Sequence, residues 1–392
     1  KLTNWNGTCF MVDNNFNEVL AWSQEQGLML HASIERLCVD GVYGMYAASD
    51  IPKNTVLSHY PKENLLPLLE DVKYPENTPF RSKYIHAAAK ELSKGESSWG
   101  FMKGLYSDDF IKNTNVYYFS EDDFKFLEKI SATLYNFIRM YRARNESFIN
   151  AMCDFDKDLD RASLEKIIFN VNYRSWGNVG FVPIFDMFNH SDLYGLQLHE
   201  NKDKVFLAST VDYKKGDQIW ISYGQKDIYN HAINYGYFDS DGKHFIDFGL
   251  RVSQSAENEF QKKIFGYVKN KYQVSAYNSN DGSIHYQLLQ GSAFLMDYAP
   301  NCNLIDFIRD VSYGTKEELS SRQSPPFRFR ARMLQYIDGL NSANKIDEYS
   351  IDDFPEKMKH FYHMLKKEKS MLNRNREWVM TIAAPTLSTT AC

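Results

Sequence analysis

Two short segments near the middle of the chain constrain its fold more than any other part of the sequence. Residues 183–191 read Pro-Ile-Phe-Asp-Met-Phe-Asn-His-Ser, so an amide and an imidazole stand side by side at the end of an apolar run. Residues 216–224 show the alternation of a strand and end on a Tyr-Gly pair. Most chains place only core residues at the end of such a run. Asn189, His190 and Tyr223 are therefore candidate functional residues.

Composition narrows the classes of partner. The chain has 392 residues, enough for roughly two to three domains of ordinary size. Its net charge is −5 and it has no long basic run, so a nucleic-acid surface is not indicated. No stretch approaches the roughly 20 apolar residues of a membrane span. A mildly acidic surface suits a protein partner with a basic, lysine-bearing segment.

The cysteines give an indication of the compartment. Five of them are scattered along the chain without a Cys-x-x-Cys pair: Cys9, Cys38, Cys153, Cys302 and Cys392. This argues against a disulfide framework and a structural zinc cluster, and it favours a reducing compartment. The sequence therefore predicts a cytoplasmic protein, with the nucleus as the alternative. Because the chain begins at Lys1 rather than Met, it does not say whether a targeting segment precedes it.

The first half of the chain alternates between strand and helix patterns. A helical stripe over residues 16–22 is stopped by Gly27, and strand patterns follow at 42–48 and 55–58. From about Arg81 the pattern is helical. A capping box at residues 120–123 introduces one apolar stripe that runs from Phe124 to Tyr141, and Asp160 leads a further helix.

The second half returns to strands and then to helix. Strand patterns cover 180–185, 205–211 and 218–222, with residues 212–216 as a hairpin connection between the last two. After about Ser253 the pattern is nearly all helical, with stripes at 260–268 and 304–311, a capping box at 315–318, and Pro355 opening a long final helix. We therefore predict an α+β protein with a β-rich core, interrupted by helices and followed by a helical lobe.

The polar residues of the two central segments indicate a functional site only when they are considered together. Each of Asp186, Asn189, His190 and Tyr223 taken singly is more often structural than catalytic. Together with Arg174 they are the kinds of group that hold the amino, carboxylate and ribose ends of a nucleotide-like cofactor. An arginine can bind a carboxylate through two parallel hydrogen bonds.

Four motifs in order resemble the SET-domain methyltransferases, in the group that includes the Rubisco large-subunit lysine and the actin-histidine methyltransferases. Residues 41–51 resemble the family's glycine-containing cofactor loop, and 96–99 its short Ser-Trp element. Arg174, the 186–190 segment and Tyr223 follow at the family's spacing, and 234–238 resembles its Tyr-Gly-Phe element. Residues 304–309 and 315–319 look like its substrate-binding lobe.

The resemblance implies a fold and a division of the chain. The fold is an α+β SET core with a pseudoknot that brings Asn189 and His190 beside Tyr223, plus a helical insertion and an all-helical C-terminal substrate-binding lobe. The core would comprise residues 1–80 and 171–252, the insertion 81–170, and the lobe 253–392.

The resemblance also implies an activity and a site. The protein would be a protein-lysine N-methyltransferase that uses S-adenosyl-L-methionine, needs no metal, works as a monomer and holds its protein substrate in the SET cleft and helical lobe. Tyr223 would lie beside the transferred methyl group as the catalytic residue. Two sets of residues would complete the site. The cofactor contacts would be Tyr43, Gly44, Met45, Arg174, Asp186 (through its backbone), Asn189, His190 and Tyr223 itself, and the substrate channel would be lined by Trp176, Phe185 and Tyr235.

Trp176 is the position that decides between acceptors. The actin-histidine enzyme has an asparagine at the matching position and the Rubisco lysine enzyme an aromatic residue, so an indole favours lysine through apolar and cation–π contact. The same indole could instead fill core volume. Two departures from the family, Asp227-Ile228 after the Tyr-Gly pair and Tyr46 in the cofactor loop, concern the exact shape of the pocket. Two alternative functions stay open: a protein-histidine methyltransferase, or an inactive SET-fold module that binds a protein.

Overall fold

The structure is a computed structural model of two compact units. The first unit comprises Lys1–Phe119 and Ile138–Gln225, and the second comprises Ser120–Phe137 and Lys226–Cys392. The structure describes residues 16–39, 42–94, 99–191, 195–223, 227–238, 242, 244–246, 251–255, 274–278, 283–288, 295–296 and 327–381. None of the described helices has the length and apolar content that crossing a membrane requires. The four-part division of the chain stays a prediction.

Nine α-helices lie in the described part of the chain. Their bounds are α1 Phe16–Glu25, α2 Phe80–Ser93, α3 Asp108–Thr114, α4 Glu121–Ile130, α5 Ala132–Phe155, α6 Arg161–Arg174, α7 Ile228–Tyr235, α8 Phe327–Ala343 and α9 Lys359–Thr381. The helix starts follow local chemistry, since Ser120 forms the predicted capping box and Asp160 caps α6 by accepting from the Ser163 backbone N–H.

The strands are short and form several small sheets. Their bounds are β1 Met29–Leu30, β2 Ile34–Val39, β3 Val42–Ala47, β4 Val56–Pro61, β5 Ser175–Trp176, β6 Gly180–Phe181, β7 Asn189–His190, β8 His199–Glu200, β9 Lys204–Ala208, β10 Trp220–Ile221, β11 Arg251–Ser255, β12 Val274–Asn278 and β13 Ser283–Leu288. The sheet orders are β1-β4-β9-β8, β2-β3, β5-β6, β7-β10 and β11-β13-β12. All pairs are antiparallel except β7 with β10, which is parallel.

The single helix predicted from Phe124 to Tyr141 is wrong, because Ser131 divides it. Ser131 is extended (φ −152°, ψ 105°), and its hydroxyl accepts a hydrogen bond from the Leu134 backbone N–H at 3.1 Å. That bond caps α5 while α4 ends one residue earlier. A serine inside an apolar stripe can act as an N-cap without disturbing the spacing of the apolar residues, so periodicity alone did not reveal the break.

The predicted hairpin at residues 212–216 is also wrong. β9 pairs with β4 and β8, whereas the chain after it runs along β3 and the residues that follow β3. Gln218 pairs with Tyr46 of β3, and Tyr213 pairs with Ile51. The segment thus passes from one small sheet to another and delivers residues 216–223 to the neighbourhood of β3. The predicted strand at 180–185 is shorter than expected, since β6 ends at Phe181.

The C-terminal part is helical but not throughout. The helical segment and the α+β class are confirmed by α8 and α9, while the expectation of helix directly after Ser253 is wrong for the antiparallel sheet β11-β13-β12. Apolar residues at every second position of 284–288 carry that strand signal in the sequence. The predicted stripes at 260–268 and 304–311 and the capping box at 315–318 lie outside the described residues.

One cysteine departs from the expectation of a reduced protein. Cys38 in β2 is disulfide-bonded, whereas Cys153 in α5 is a free thiol. The cysteines therefore no longer support a reducing compartment.

Candidate functional site

A crossing of the chain in the first unit builds the candidate site. β7 pairs in parallel with β10, so that Asn189 lies opposite Trp220 and His190 opposite Ile221. On its other side β10 is held by Leu196, whose N–H donates to the Trp220 carbonyl at 2.8 Å and whose carbonyl accepts from the Ser222 N–H at 2.7 Å. β10 is therefore enclosed between β7 and the residues that follow it. This is the predicted pseudoknot, and it is confirmed.

Gly195 is required for this tight passage. A Cβ atom at Gly195 would lie 2.3 Å from the Ser191 carbonyl oxygen and 2.6 Å from the Ser222 nitrogen. Real Cβ atoms do not approach backbone atoms so closely, so only glycine lets the chain turn around β10.

The crossing places His190 against Tyr223. The Tyr223 backbone N–H donates to His190 Nδ1 at 3.0 Å, and the two rings stack with centroids 4.9 Å apart. Because Nδ1 accepts this bond, Nε2 is the ring nitrogen left to carry the imidazole proton. The Tyr223 hydroxyl donates to the Phe188 carbonyl at 3.0 Å, so both polar ends of Tyr223 are fixed by residues 188–190.

The Tyr223 hydroxyl is a poor base in this environment. Burial raises the pKa of Tyr223 above its ordinary value, and the nearby Tyr106 and Asp186 groups raise the pKa further. The phenol is neutral at neutral pH. Since its proton is given to Phe188, the hydroxyl presents oxygen lone pairs to its remaining surroundings.

The predicted cofactor loop meets Asn189. The Asn189 side-chain amide donates to the Tyr43 carbonyl at 2.9 Å. A Cβ atom on Gly44 would lie 2.4 Å from Gln218 Nε2 and 2.9 Å from Asn189 Nδ2. The Met45 carbonyl in turn accepts from the Ile219 N–H at 2.8 Å. β3 therefore has no side chain at Gly44, where the side-chain amides of Asn189 and Gln218 lie close to the backbone.

Arg174 and Asp186 form a buried ion pair. Their side chains are 3% and 2% exposed, and Arg174 Nε donates to Asp186 Oδ2. Arg174 Nη1 donates to the Gly104 carbonyl, and the guanidinium lies 5.0 Å from the ring centroids of both Phe101 and Tyr106. Burial raises the pKa of Asp186, and the Arg174 charge opposes that rise. The sequence predicted a role for Asp186 through its backbone only. In the structure its side chain also takes part, as the partner of Arg174.

The residues predicted to line a substrate channel come from both units. Trp176 is half-buried in β5 and pairs with Gly180 of β6. Phe185 is fully buried. Tyr235 ends α7 in the second unit, where its ring centroid lies 5.3 Å from that of His231. The structure brings together the residues around Tyr43, Asn189, His190 and Tyr223, while Tyr235 belongs to the other unit.

Three residues near the site had no signal in the sequence patterns. The Arg36 guanidinium lies 4.1 Å from the Tyr43 ring centroid, Tyr106 stands beside Arg174, and the Gln218 amide approaches Gly44. Arg36 occupies an ordinary strand position, and Tyr106 comes from a part of the chain that no motif covers. Gln218 lies within the 216–224 segment, where the strand pattern gave no reason to single it out. Within the described ranges, His, Cys, Asp and Glu side chains form no cluster that could hold a metal ion.

Comparison with known proteins agrees with this architecture. The SET domain family model matches residues 42–224. The ribosomal lysine N-methyltransferase set11 of Schizosaccharomyces pombe (strain 972 / ATCC 24843) is 21% identical over 374 residues, covering 88% of this chain and 86% of the relative.

Solved structures share the fold. The SET domain of LSMT bound to lysine and AdoHcy superposes with a TM-score of 0.65 at 15% identity, covering 94% of this chain and 92% of that one. Rubisco LSMT bound to AdoMet gives a TM-score of 0.62 at 12% identity, covering 93% and 91%. Residues 42–224, which match the SET domain model, contain β3, β7 and β10, the strands that build the crossing around His190 and Tyr223. Residues 42–224 of this chain match the SET domain family, and the chain shares the fold of these solved structures, as its motifs predicted.

Proposed function

We propose that this chain is an S-adenosylmethionine-dependent protein-lysine N-methyltransferase. The observation that carries the proposal is the placing of Tyr223 against His190 at the crossing, with Asn189 bonded to the Tyr43 carbonyl in the same unit. The relatives support it: one is named as a ribosomal lysine N-methyltransferase, and a solved neighbour binds lysine and AdoHcy.

The residues around Gly44 suit the amino-acid end of the cofactor. The bare backbone at Gly44 and the adjoining Asn189 and Gln218 amides form a cradle that any Cβ would fill. Carbonyl oxygens of the backbone and of side-chain amides can accept hydrogen bonds from an ammonium group, whereas the amide N–H groups at Gly44 and the positive charge of Arg36 beside Tyr43 suit a carboxylate. We assign Tyr43, Gly44, Met45, Asn189 and His190 to this site. When bound, the cofactor supplies a methyl group on a positively charged sulfur.

Methyl transfer to lysine requires that the side-chain amine is neutral and that its lone pair is held in a fixed direction. Burial against apolar walls and nearby positive charge both lower the pKa of a lysine ammonium, so its proton can leave to water. Tyr223 does not take that proton, because its own pKa is raised and its phenol stays neutral. Its hydroxyl oxygen instead accepts a hydrogen bond from the amine and turns the nitrogen lone pair toward the methyl carbon. Orientation of this kind lowers a barrier by several kcal/mol.

Trp176 supports lysine over histidine as the acceptor. An indole ring attracts an alkyl-ammonium through its face and has no acceptor atom. A histidine that receives the methyl group attacks through one ring nitrogen and carries a proton on the other. That N–H needs a hydrogen-bond acceptor, and the indole has none to offer. The substrate-channel roles of Phe185 and Tyr235, the part of the C-terminal segment in binding a protein substrate, the monomeric state and the cytoplasmic location stay predictions.

Titration followed by transfer tests the proposal. Calorimetry should detect binding of S-adenosylhomocysteine, and incubation with methyl-labelled cofactor should label at least one protein in a cell extract. If the protein binds S-adenosylhomocysteine but labels no protein in the extract, the inactive binding module would be favoured. Absence of both binding and labelling would contradict the proposal.

A further inference from the structure

Tyr106 lies beside the buried Arg174–Asp186 pair. The centroid of its ring is 5.0 Å from the guanidinium carbon of Arg174. The charges of Arg174 and Asp186 both act on the pKa of the Tyr106 phenol. Tyr106 in turn is one of the groups that act on the pKa of Tyr223. The phenol therefore lies within electrostatic range of the residues that build the candidate site.

The protein holds the Tyr106 ring firmly. Its backbone N–H donates to the side-chain carbonyl of Asn170 at 2.9 Å, and Asn170 is fully buried on α6, one turn before Arg174. The ring packs against Phe110 with centroids 4.6 Å apart and meets the ring of Tyr173 edge to face at 6.0 Å. These contacts use the backbone and the ring of Tyr106, so its hydroxyl is held in position without being consumed by them.

Two hydrogen-bond donors here lack an acceptor among the described residues. One is the Tyr106 hydroxyl, since the backbone N–H makes the hydrogen bond of that residue. The other is Nη2 of Arg174, because Nε bonds to Asp186 and Nη1 to the Gly104 carbonyl. The Arg174 side chain is 3% exposed, so little of it meets solvent. A buried donor without an acceptor is unfavourable, and a ligand that brings an acceptor removes that cost.

The chemistry of these two donors suits a carboxylate. Burial raises the pKa of Tyr106, while the charges of Arg174 and Arg36 lower it and that of Asp186 raises it. The phenol keeps its proton at neutral pH and can donate it in a hydrogen bond, as Nη2 does. Two guanidinium groups against one carboxylate leave a local excess of positive charge, which favours an anion over an ammonium group.

We propose that Tyr106 is a cofactor-binding residue whose hydroxyl donates a hydrogen bond to the carboxylate of S-adenosylmethionine, beside Nη2 of Arg174. The inference rests on the proposed function, because it requires that cofactor. It adds a residue that neither the motifs nor the family resemblance assigns. Its role differs from that of Tyr223, which directs the acceptor amine.

Two phenylalanine variants test the contact. Tyr106→Phe keeps the ring on Arg174 but removes the hydroxyl, so the Kd for S-adenosylhomocysteine should rise roughly tenfold in calorimetry. The matched control is Tyr173→Phe, which alters the same ring cluster but removes a hydroxyl that accepts from the Asn115 amide at 3.1 Å. The control should keep its affinity within about twofold. Equal affinity of Tyr106→Phe and the unaltered protein would overturn the inference.

A ligand without the carboxylate locates the contact. The decarboxylated analogue of S-adenosylhomocysteine should bind Tyr106→Phe and the unaltered protein equally well, since the proposed bond is absent from both complexes. An equal loss of affinity for both ligands would show that the hydroxyl does not contact the carboxylate, and it would overturn the inference. If the unaltered protein binds no S-adenosylhomocysteine at all, the proposed function fails and this inference fails with it.

Kinetics and a structure complete the design. A cofactor ligand predicts that Tyr106→Phe raises the KM for S-adenosylmethionine while kcat stays within about threefold. A hydroxyl that directs the acceptor amine predicts a lower kcat at unchanged Kd, and that result would overturn the inference. Should the variants fail to fold, a crystal structure of the unaltered protein with S-adenosylhomocysteine decides. A hydrogen bond from the Tyr106 hydroxyl to the cofactor carboxylate is expected, and its absence would contradict the assignment.

Discussion

The imidazole of His190 lies against the phenol ring of Tyr223, with ring centroids 4.9 Å apart, although 33 residues separate them in the chain. The parallel pairing of β7 with β10 brings them together, and the bonds from Tyr223 to His190 and Phe188 hold them there. A phenol fixed at both ends is suited to directing an acceptor nitrogen.

Replacing Tyr223 with phenylalanine should separate catalysis from binding. Tyr223→Phe keeps the ring stacked on His190 but removes the oxygen that would orient the amine, so turnover should fall roughly tenfold or more while the Kd for S-adenosylhomocysteine changes little. Initial rates of labelled-methyl transfer and calorimetry measure the two quantities. Tyr60→Phe is a matched control, because Tyr60 also donates its hydroxyl proton to a backbone carbonyl, that of Asn64, at 3.1 Å. A Tyr223→Phe protein as active as the control would remove the hydroxyl from the mechanism.

Adding one methyl group at Gly44 should weaken cofactor binding. The new Cβ would lie 2.4 Å from Gln218 Nε2 and 2.9 Å from Asn189 Nδ2, so both amides must move. We expect the Kd for S-adenosylhomocysteine to rise by roughly tenfold or more in calorimetry, since the displaced amides lie in the proposed site. Gly339→Ala is the control, because an added Cβ there meets nothing within 4 Å. Equal affinities of the two variants would place the cofactor elsewhere.

The Trp176 side chain should set how well a lysine substrate is used. Trp176→Phe keeps an aromatic face and should retain most of the methylation rate. Trp176→Ala should lose roughly fivefold at limiting substrate, the size of an ordinary cation–π contribution. The comparison uses the rate of label incorporation into extract protein. If the two variants lose activity equally while thermal stability falls equally, the indole fills core volume and does not select the acceptor.

Glu368 should make the stability of the protein depend on pH. Its side chain is fully buried in the second unit, where the Tyr229 hydroxyl donates to one oxygen and the Asn344 amide donates to the other at 2.8 Å. Burial raises the pKa of Glu368 to about 7, against the hydrogen bonds from Tyr229 and Asn344 and the charge of Lys369, which lower it. Because the folded state holds the proton to a higher pH than the unfolded state, this group's stabilising contribution is present below its ordinary pKa and is lost as pH rises through about 7.

A glutamine at position 368 removes that titration. A glutamine can accept from Asn344 and donate to the Tyr229 oxygen, so the packing is kept. Relative to the unaltered protein, the free energy of unfolding of Glu368→Gln should therefore increase by up to about 3 kcal/mol between mildly acidic and mildly alkaline pH. Urea unfolding of both proteins at each pH measures the difference. The same difference at both pH values would show that Glu368 does not titrate in this range.

Local features of the fold could be predicted from the sequence because they depend on neighbouring residues. The Ser120 capping box, the Asp160 cap and the stop at Gly27 are confirmed, since each depends on residues a few positions apart. The break at Ser131, the path of residues 213–219 and the sheet β11-β13-β12 were missed. Each of these is decided by partners far away in the chain, which periodicity does not show.

The candidate site could likewise be predicted from the sequence only in part. Its central residues were found through the family resemblance, because no pattern in one sequence places Asn189 beside Tyr43, 146 positions away. Arg36 and Tyr106 have no motif and became visible only through the rings and charges they contact. The pairing of Arg174 with Asp186 could not be read from their separation, since it depends on the turn that begins at Ile184.

Identification of the modified residue tests the account most directly. The protein is incubated with methyl-labelled S-adenosylmethionine and a cell extract, with Tyr223→Phe in parallel, and the labelled protein is digested and sequenced by mass spectrometry. We predict methylated lysine as the product, at a rate that falls in the variant. Methylated histidine as the sole product, or equal lysine labelling by the variant, would contradict the account.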